Sequence, residues 1–153
     1  MRGGAVGARW PRPPLPIGIG WLLGGLSWVT AVFLPWRTDG VLSRSSLMDA
    51  ARFVRRGILD GIVPPAAAPL LLAPALLGLV VVVLSGVGGR TASVARAVIG
   101  GLGAVLVLLL VAKVVGGLDR VGSGGWLAVA ATALVAGSLT AEIIWRRNAT
   151  RPH

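Results

Sequence analysis

The side chains that most often carry catalysis are scarce in this chain of 153 residues. Nucleophilic and acid–base catalysis need polar groups that converge on one point, and metal sites need clustered ligands. The chain has no cysteine and no tyrosine, five acidic residues, and one histidine, His153. Gly18 and Gly20 lack the rest of a dinucleotide-binding fingerprint, and Ser123 lacks a nucleophile elbow. We therefore predict no catalytic, metal or cofactor site.

Hydroxyl and acidic groups inside the apolar runs are the remaining candidates for chemistry. A membrane-embedded enzyme would have to use Ser27, Thr30, Ser138 and Thr140. Four hydroxyls without a neighbouring base make a poor active site, so the sequence favours a protein that is not an enzyme. Ion-coupled transport usually needs an acid near the centre of a membrane span. Glu142 lies about one turn from the end of the fourth apolar run, so the sequence disfavours a proton-coupled transporter. Arg146 follows four residues later, which suits a helical ion pair.

The composition indicates a membrane protein. Hydrophobic residues make up 55% of the chain, charged residues make up 13%, and the mean hydropathy is +0.83. Ordinary soluble domains contain about 25% charged residues. The formal net charge is +10, but the arginines flank apolar runs and form no basic helix interleaved with aromatic residues. We therefore expect the lipid bilayer as the partner, and no nucleic acid.

Four apolar runs are long enough to cross a bilayer, which requires about 20 residues. The first is too long for a signal peptide and is not followed by a cleavage site, so we expect it to be retained. The predicted fold is an all-α membrane protein with four transmembrane helices in one domain, residues 17–145. The predicted spans are residues 17–35, 64–85, 97–115 and 126–145. Residues 1–16 form a basic, disordered N-terminal tail, and residues 146–153 form a basic C-terminal tail.

The long loop, residues 36–63, contains a predicted amphipathic helix at residues 46–59 outside the cytoplasm. Ser46 and Asp49 have the spacing of a capping box, which marks a helix start. Arg52, Arg55 and Arg56 lie on its polar side. The helix is either a connector held by apolar contacts or a site for a partner or lipid headgroups.

Small residues four positions apart predict close helix packing. Three such pairs occur in the spans: Gly20 with Gly24, Gly100 with Ala104, and Ala133 with Gly137. Pro74 lies inside the second span and should kink it, because proline removes a helical hydrogen bond. Such a kink indicates either a gate or only a bent helix.

The orientation follows from the basic residues beside the helix ends. Eight lysines and arginines lie in the two tails and the second loop, and seven lie on the other side, spread over longer segments. The positive-inside rule then predicts both termini in the cytoplasm. Trp36 and Trp126 would mark the outer interface, and Trp10 and Trp145 the inner one. Fourteen of the fifteen basic residues are arginine, and alanine, glycine and valine are abundant. This composition indicates a GC-rich bacterium, and the apolar runs indicate a multi-pass protein of its inner (plasma) membrane.

Two short motifs carry a resemblance to known proteins. Leu34-Pro35-Trp36 follows the first span, and Ser43-Arg44-Ser45-Ser46 precedes the outer helix. This pattern resembles small uncharacterised four-span membrane proteins of GC-rich actinobacteria. The Leu-Pro-Trp element is similar to that of the tryptophan-associated membrane proteins of those bacteria. The resemblance covers roughly residues 28–85, supports the topology and implies no activity.

Two functions fit these observations. The first is a non-enzymatic accessory or scaffold subunit of a cell-envelope complex, in which Arg52, Arg55 and Arg56 face another membrane protein. The second is a subunit of a homo-oligomeric transporter or channel, with the Pro74 kink and the glycine faces shaping a pore. A membrane-embedded enzyme is the third and weakest hypothesis.

Overall fold

A computed structural model describes residues 13–38, 43, 45–56, 68–115 and 120–149. Its helices, in chain order, are α1 (Leu15–Ala31), α2 (Leu47–Arg55), α3 (Ala68–Ser85), α4 (Arg90–Leu110) and α5 (Ser123–Ala149). A π-helical turn, Val111–Val115, extends α4. Helices α3, α4 and α5 are long and apolar enough to cross a membrane, and α1 is a shorter apolar helix. Of the predicted tails, residues 1–16 and 146–153, the parts at 1–12 and 150–153 lie outside the described residues.

The four apolar helices form an up-and-down bundle. Helix α1 packs against α3 and α5, and α4 closes the ring between α3 and α5. Gly20 and Gly24 of α1 face Ser138 and Val135 of α5 in reversed order, so these two helices are antiparallel. We call the end with the start of α1 and the end of α5 the terminal end, and the opposite end the loop end.

Two tryptophans of α1 fill the centre of this bundle. Trp21 and Trp28 are a heptad apart, so both point across the bundle toward α4. A Cβ at Gly100 would lie 2.7 Å from the ring of Trp21, and a Cβ at Gly103 would lie 2.5 Å from the ring of Trp28. The glycines of α4 therefore leave the space that the large rings occupy. Bulky rings against bare backbone are one way to reach interior packing density.

Helices α1 and α3 approach until their backbones touch. A Cβ on Gly25 would lie 2.7 Å from the carbonyl oxygen of Gly78, and a Cβ on Gly78 would lie 2.5 Å from that of Gly25. Such approach between membrane helices relies on small residues, because lipid supplies little hydrophobic drive for association. Gly25 and Gly78 thus set the distance between α1 and α3.

We expect Gly78→Ala to lower the free energy of unfolding by about 1–3 kcal/mol, because the added methyl meets backbone that cannot move aside. Gly101→Ala is the matched control on α4, since a Cβ there meets nothing within 4 Å. That control should raise the free energy of unfolding by up to about 1 kcal/mol through helix propensity. Unfolding in detergent, followed by circular dichroism, measures both. Equal effects at the two positions would contradict the close contact.

The small residues that the sequence singled out have different surroundings. Gly20 and Gly24 face α5, and Gly100 receives Trp21. Ala104 is half-buried beside the core. Ala133 is exposed, and a Cβ at Gly137 would meet nothing within 4 Å. For this last pair the prediction of packing within the chain is wrong, because α5 buries the opposite face, with Ala128, Ala131 and Val135.

Pro74 lies buried inside α3, whose helical structure is continuous from Ala68–Ser85. A kink at this position remains a prediction. The preceding part of the predicted span, residues 64–67, lies outside the described residues.

The segment after α1 docks onto the start of α5 at the loop end. The amides of Gly122 and Gly124 donate to the carbonyls of Trp36 and Pro35, at 2.8 and 2.9 Å. Trp36 donates its indole N–H to the Ala31 carbonyl at 2.7 Å. Only 2% of Trp36 is exposed, so it is a core residue and not the interfacial residue that we predicted. Trp126 is 53% exposed, as an interfacial residue would be.

The ends of four helices differ from the predicted bounds. Helix α1 ends at Ala31, before the predicted end of the first span at residue 35. Helix α4 begins at Arg90, well before residue 97, so Arg96 is helical and not part of a loop. Helix α5 begins at Ser123 and ends at Ala149, beyond both predicted ends. Helix α2 ends at Arg55, before residue 59. Charged and glycine residues at the ends of α4 and α5 suggest loops, but both helices continue through them.

Candidate functional site

The most unusual group in the bundle is a buried carboxylate. Glu142 lies on α5 near the terminal end, and only 3% of the residue is exposed. A buried carboxylate is costly unless hydrogen-bond donors replace its water, so its partners define the site.

Four donors from three helices surround Glu142. The indole N–H of Trp21 donates to Oε2 at 3.0 Å. Three groups donate to Oε1: the Ser93 hydroxyl, the Arg96 guanidinium at 3.1 Å, and the Arg146 guanidinium at 3.0 Å. We call these five residues the Glu142 cluster.

Arg96 connects the cluster to a fourth helix. It is 1% exposed. It donates to the carbonyls of Leu84 at 2.6 Å and Val87 at 3.0 Å, at the end of α3. Leu84 lies in the last turn of α3, where carbonyls carry partial negative charge, and Val87 follows the helix, so the guanidinium has two acceptors there. The Glu142 cluster therefore joins α1, α3, α4 and α5 at one level of the bundle.

The hydrogen-bond count indicates what this cluster can do. An ionised carboxylate has about two acceptor sites on each oxygen. Oε1 of Glu142 accepts from Ser93, Arg96 and Arg146, and Oε2 accepts from Trp21. Two arginines and one glutamate leave the cluster with one excess positive charge. A carboxylate held by four donors of its own chain suits holding helices in one arrangement better than exchanging a proton or a cation. Buried ionic groups often specify an arrangement in this way.

The sequence had indicated only part of this site. The spacing of Glu142 and Arg146 predicted their ion pair, which is present. The predicted spans leave Ser93 and Arg96 in a loop. In the structure α4 begins at Arg90, so both residues lie on that helix. The available signal was their spacing of three, which puts both on one helical face.

The hydroxyls considered for catalysis do not form one site. Thr30 and Thr140 are exposed and donate to carbonyls of their own helices, at Leu26 and Ala136. Ser138 lies against Gly20, which is seven residues, or about 10 Å of helix, from Ser27. Elsewhere in the bundle, Thr132 accepts the indole N–H of Trp28 at 3.2 Å and donates to the Ala128 carbonyl at 2.8 Å.

Helix α2 carries the arginines that were predicted to contact a partner. Ser46 caps the helix and exchanges hydrogen bonds with Asp49, which lowers the pKa of the Asp49 carboxyl. Leu47, Ala51 and Val54 are buried, and the helix packs against α3. All three predicted arginines are exposed: Arg52, Arg55 and Arg56.

A groove separates α2 from α3 at the loop end. Its volume is about 560 Å³, and apolar side chains make up most of its walls. The residues that line it are Met48, Ala51, Arg52, Arg55, Ala68, Pro69, Leu72 and Leu76. Two of the predicted arginines therefore border an apolar depression, whereas Arg56 lies outside it.

The described residues contain no group of three His, Cys, Asp or Glu side chains placed to hold a metal ion. Comparison with protein-family models, curated proteins and solved structures finds no match to this chain. Fold and site together define a helical bundle with membrane-type helices, pinned at one end by an ionic cluster.

Proposed function

We propose that the chain is a four-span integral membrane protein of the bacterial plasma membrane. The three long helices are each compatible with a span. Helix α1 has 17 residues, which cover about 26 Å at 1.5 Å per residue and fall at the lower limit for a span. It lies between α3 and α5. Its Trp21 donates to Glu142 at one level of the bundle, and its Trp28 donates to Thr132 of α5 at another. A helix in that position crosses the same depth as its neighbours.

In this proposal the terminal end faces the cytoplasm. Arg90, Arg146 and Arg147 lie at that end, directly beside the ends of α4 and α5. Basic residues next to spans favour the cytoplasmic side. Helix α2 and its groove then lie on the outer face.

We further propose that the protein is a non-enzymatic accessory or scaffold subunit of an envelope complex. The observation that carries this proposal is the filled interior of the bundle. Trp21 and Trp28 occupy its centre against glycines of α4, and four donors of the same chain hold the Glu142 carboxylate. A bundle filled in this way offers its outer surface for recognition, and the α2 groove with its arginines is the most distinctive part of that surface.

The experiment is cross-linking in native membranes with an affinity-tagged copy, followed by mass spectrometry. We expect a stoichiometric membrane-protein partner. Arg52→Gln/Arg55→Gln/Arg56→Gln should reduce its recovery about tenfold or more, since each exposed arginine contributes roughly 0.5–1 kcal/mol to a charged interface. Lys113→Gln/Arg120→Gln removes basic charge at the same end, from residues outside α2, and should leave recovery unchanged.

Two results would contradict the accessory function. One is the absence of any partner in the cross-linked material. The other is equal loss of the partner in the α2 variant and in the Lys113 and Arg120 control, which would reflect total charge instead of the α2 surface.

The second candidate function is a subunit of a homo-oligomeric transporter or channel. The exposed pair Ala133 and Gly137 on α5 favours it, because small residues on an outer face permit close approach of another helix. Recovery of only self-cross-linked chains, together with solute or ion flux in reconstituted vesicles, would support this function over the first.

A further inference from the structure

Two apolar grooves flank the first turns of α4 at the terminal end. The first lies between α4 and α5 and has a volume of about 510 Å³. Its apolar walls are Val94, Ala97, Leu139 and Ile143. The second is a shallow, open depression on the surface of α4 itself, with a volume of about 550 Å³. Its lining residues are Arg90, Thr91, Val94, Ala95, Val98 and Ile99, all of α4. We call them the α4 grooves.

The α4 grooves share one boundary. Arg90 and Val94 line both of them, so the grooves straddle a single ridge of α4 and meet at Arg90. Open apolar surface on both sides of one basic residue suits a molecule with two apolar tails and one charged head.

The rim of the α4 grooves is positively charged. Arg90, Arg146 and Arg147 line the first groove, and Glu142 is the one acidic residue there. Glu142 is 3% exposed, and its oxygens already accept from donors within the bundle. Arg146 pairs with Glu142, and the rim still has more basic than acidic side chains because Arg90 and Arg147 also line it.

We propose that the α4 grooves bind an anionic phospholipid of the surrounding membrane. Its phosphate lies at Arg90 with Arg146 and Arg147 nearby, and its two acyl chains lie in the two grooves. Guanidinium groups match phosphate geometry, and basic recesses between membrane helices bind acidic headgroups. The apolar walls fit acyl chains, whereas free phosphate would leave those walls uncovered.

The test uses the purified full-length protein in neutral detergent. Phosphatidylglycerol, phosphatidylcholine or inorganic phosphate is added, and bound lipid and thermal stability are measured. We expect phosphatidylglycerol to bind and to raise the melting temperature, with little effect of the other two. Arg90→Gln/Arg147→Gln should weaken phosphatidylglycerol binding roughly 30-fold, since each arginine near an acidic headgroup contributes about a factor of five.

Two further variants separate charge from shape. Ala97→Phe keeps every charge but fills the first groove, so it should also weaken phosphatidylglycerol binding. Lys113→Gln/Arg120→Gln removes two charges at the loop end and should leave binding unchanged.

Equal binding of phosphatidylglycerol and phosphatidylcholine would overturn the proposal. So would full stabilisation by inorganic phosphate alone, or unchanged phosphatidylglycerol binding in both Arg90→Gln/Arg147→Gln and Ala97→Phe.

Discussion

Glu142→Ala is expected to lower the free energy of unfolding by about 3–5 kcal/mol, the usual cost of removing one partner from a buried ion pair. The variant leaves the Arg96 guanidinium, which is 1% exposed, facing the place where its carboxylate was. Arg146 is less affected, because 23% of its side chain is exposed and it can turn toward water. The measurement is reversible unfolding in mixed micelles of rising dodecyl sulfate content, followed by circular dichroism.

A double-mutant cycle shows whether charge or packing causes this loss. Glu142→Leu/Arg96→Met removes both buried charges and keeps much of the side-chain volume. We expect this double variant to be more stable than the sum of the two single changes implies, by about 0.5–3 kcal/mol. Asn148→Ala, at an exposed position of α5, is the control and should change stability by no more than about 0.5 kcal/mol. Additive effects in the cycle would show that Arg96 and Glu142 are not coupled.

Trp28→Ala should lower the free energy of unfolding by about 3–5 kcal/mol, as for other large-to-small core changes. Trp28 is fully buried, and its ring lies against Gly103, where no side chain of α4 can fill the space left behind. In a membrane the loss comes mainly from packing, because lipid already shields apolar surface from water. Thr132 also loses the indole donor but keeps its bond to the Ala128 carbonyl. The same unfolding assay measures the effect.

Trp126→Ala is the matched control, since the same residue type is 53% exposed there. We expect its effect to stay within about 0.5 kcal/mol. Trp28→Phe separates the two contributions of the ring: it retains much of the packing and removes the hydrogen bond, so its loss should be intermediate. If Trp28→Ala and Trp126→Ala had the same effect, the central position of Trp28 would be wrong.

Local features of the sequence predicted local structure well. Ser46 and Asp49 indicated a capping box, and the structure forms it, because both partners lie within one helical turn. Glu142 and Arg146 were four residues apart on one helix and are paired. In each case the interacting groups are neighbours along the chain.

Features that depend on distant parts of the chain were predicted poorly. Trp36 lies at the end of an apolar run, as interfacial tryptophans do, yet the start of α5 covers it. Ala133 and Gly137 have the same spacing as Gly20 and Gly24. Gly20 and Gly24 face α5, whereas a Cβ at Gly137 would meet nothing within 4 Å. Spacing shows that two small residues share a face, whereas the order of helices around the bundle decides which face is covered.

By itself the sequence determined that the chain forms apolar helices, roughly where they lie, and how α2 begins. The physical reason is that a backbone surrounded by lipid must satisfy its hydrogen bonds within its own helix, so apolar composition alone implies helical structure. Only the tertiary structure decided that Glu142 is buried and which donors surround it. Trp21 and Glu142 are separated by 121 positions, and Arg96 reaches both Glu142 and the end of α3. Such partners meet only after the helices have packed.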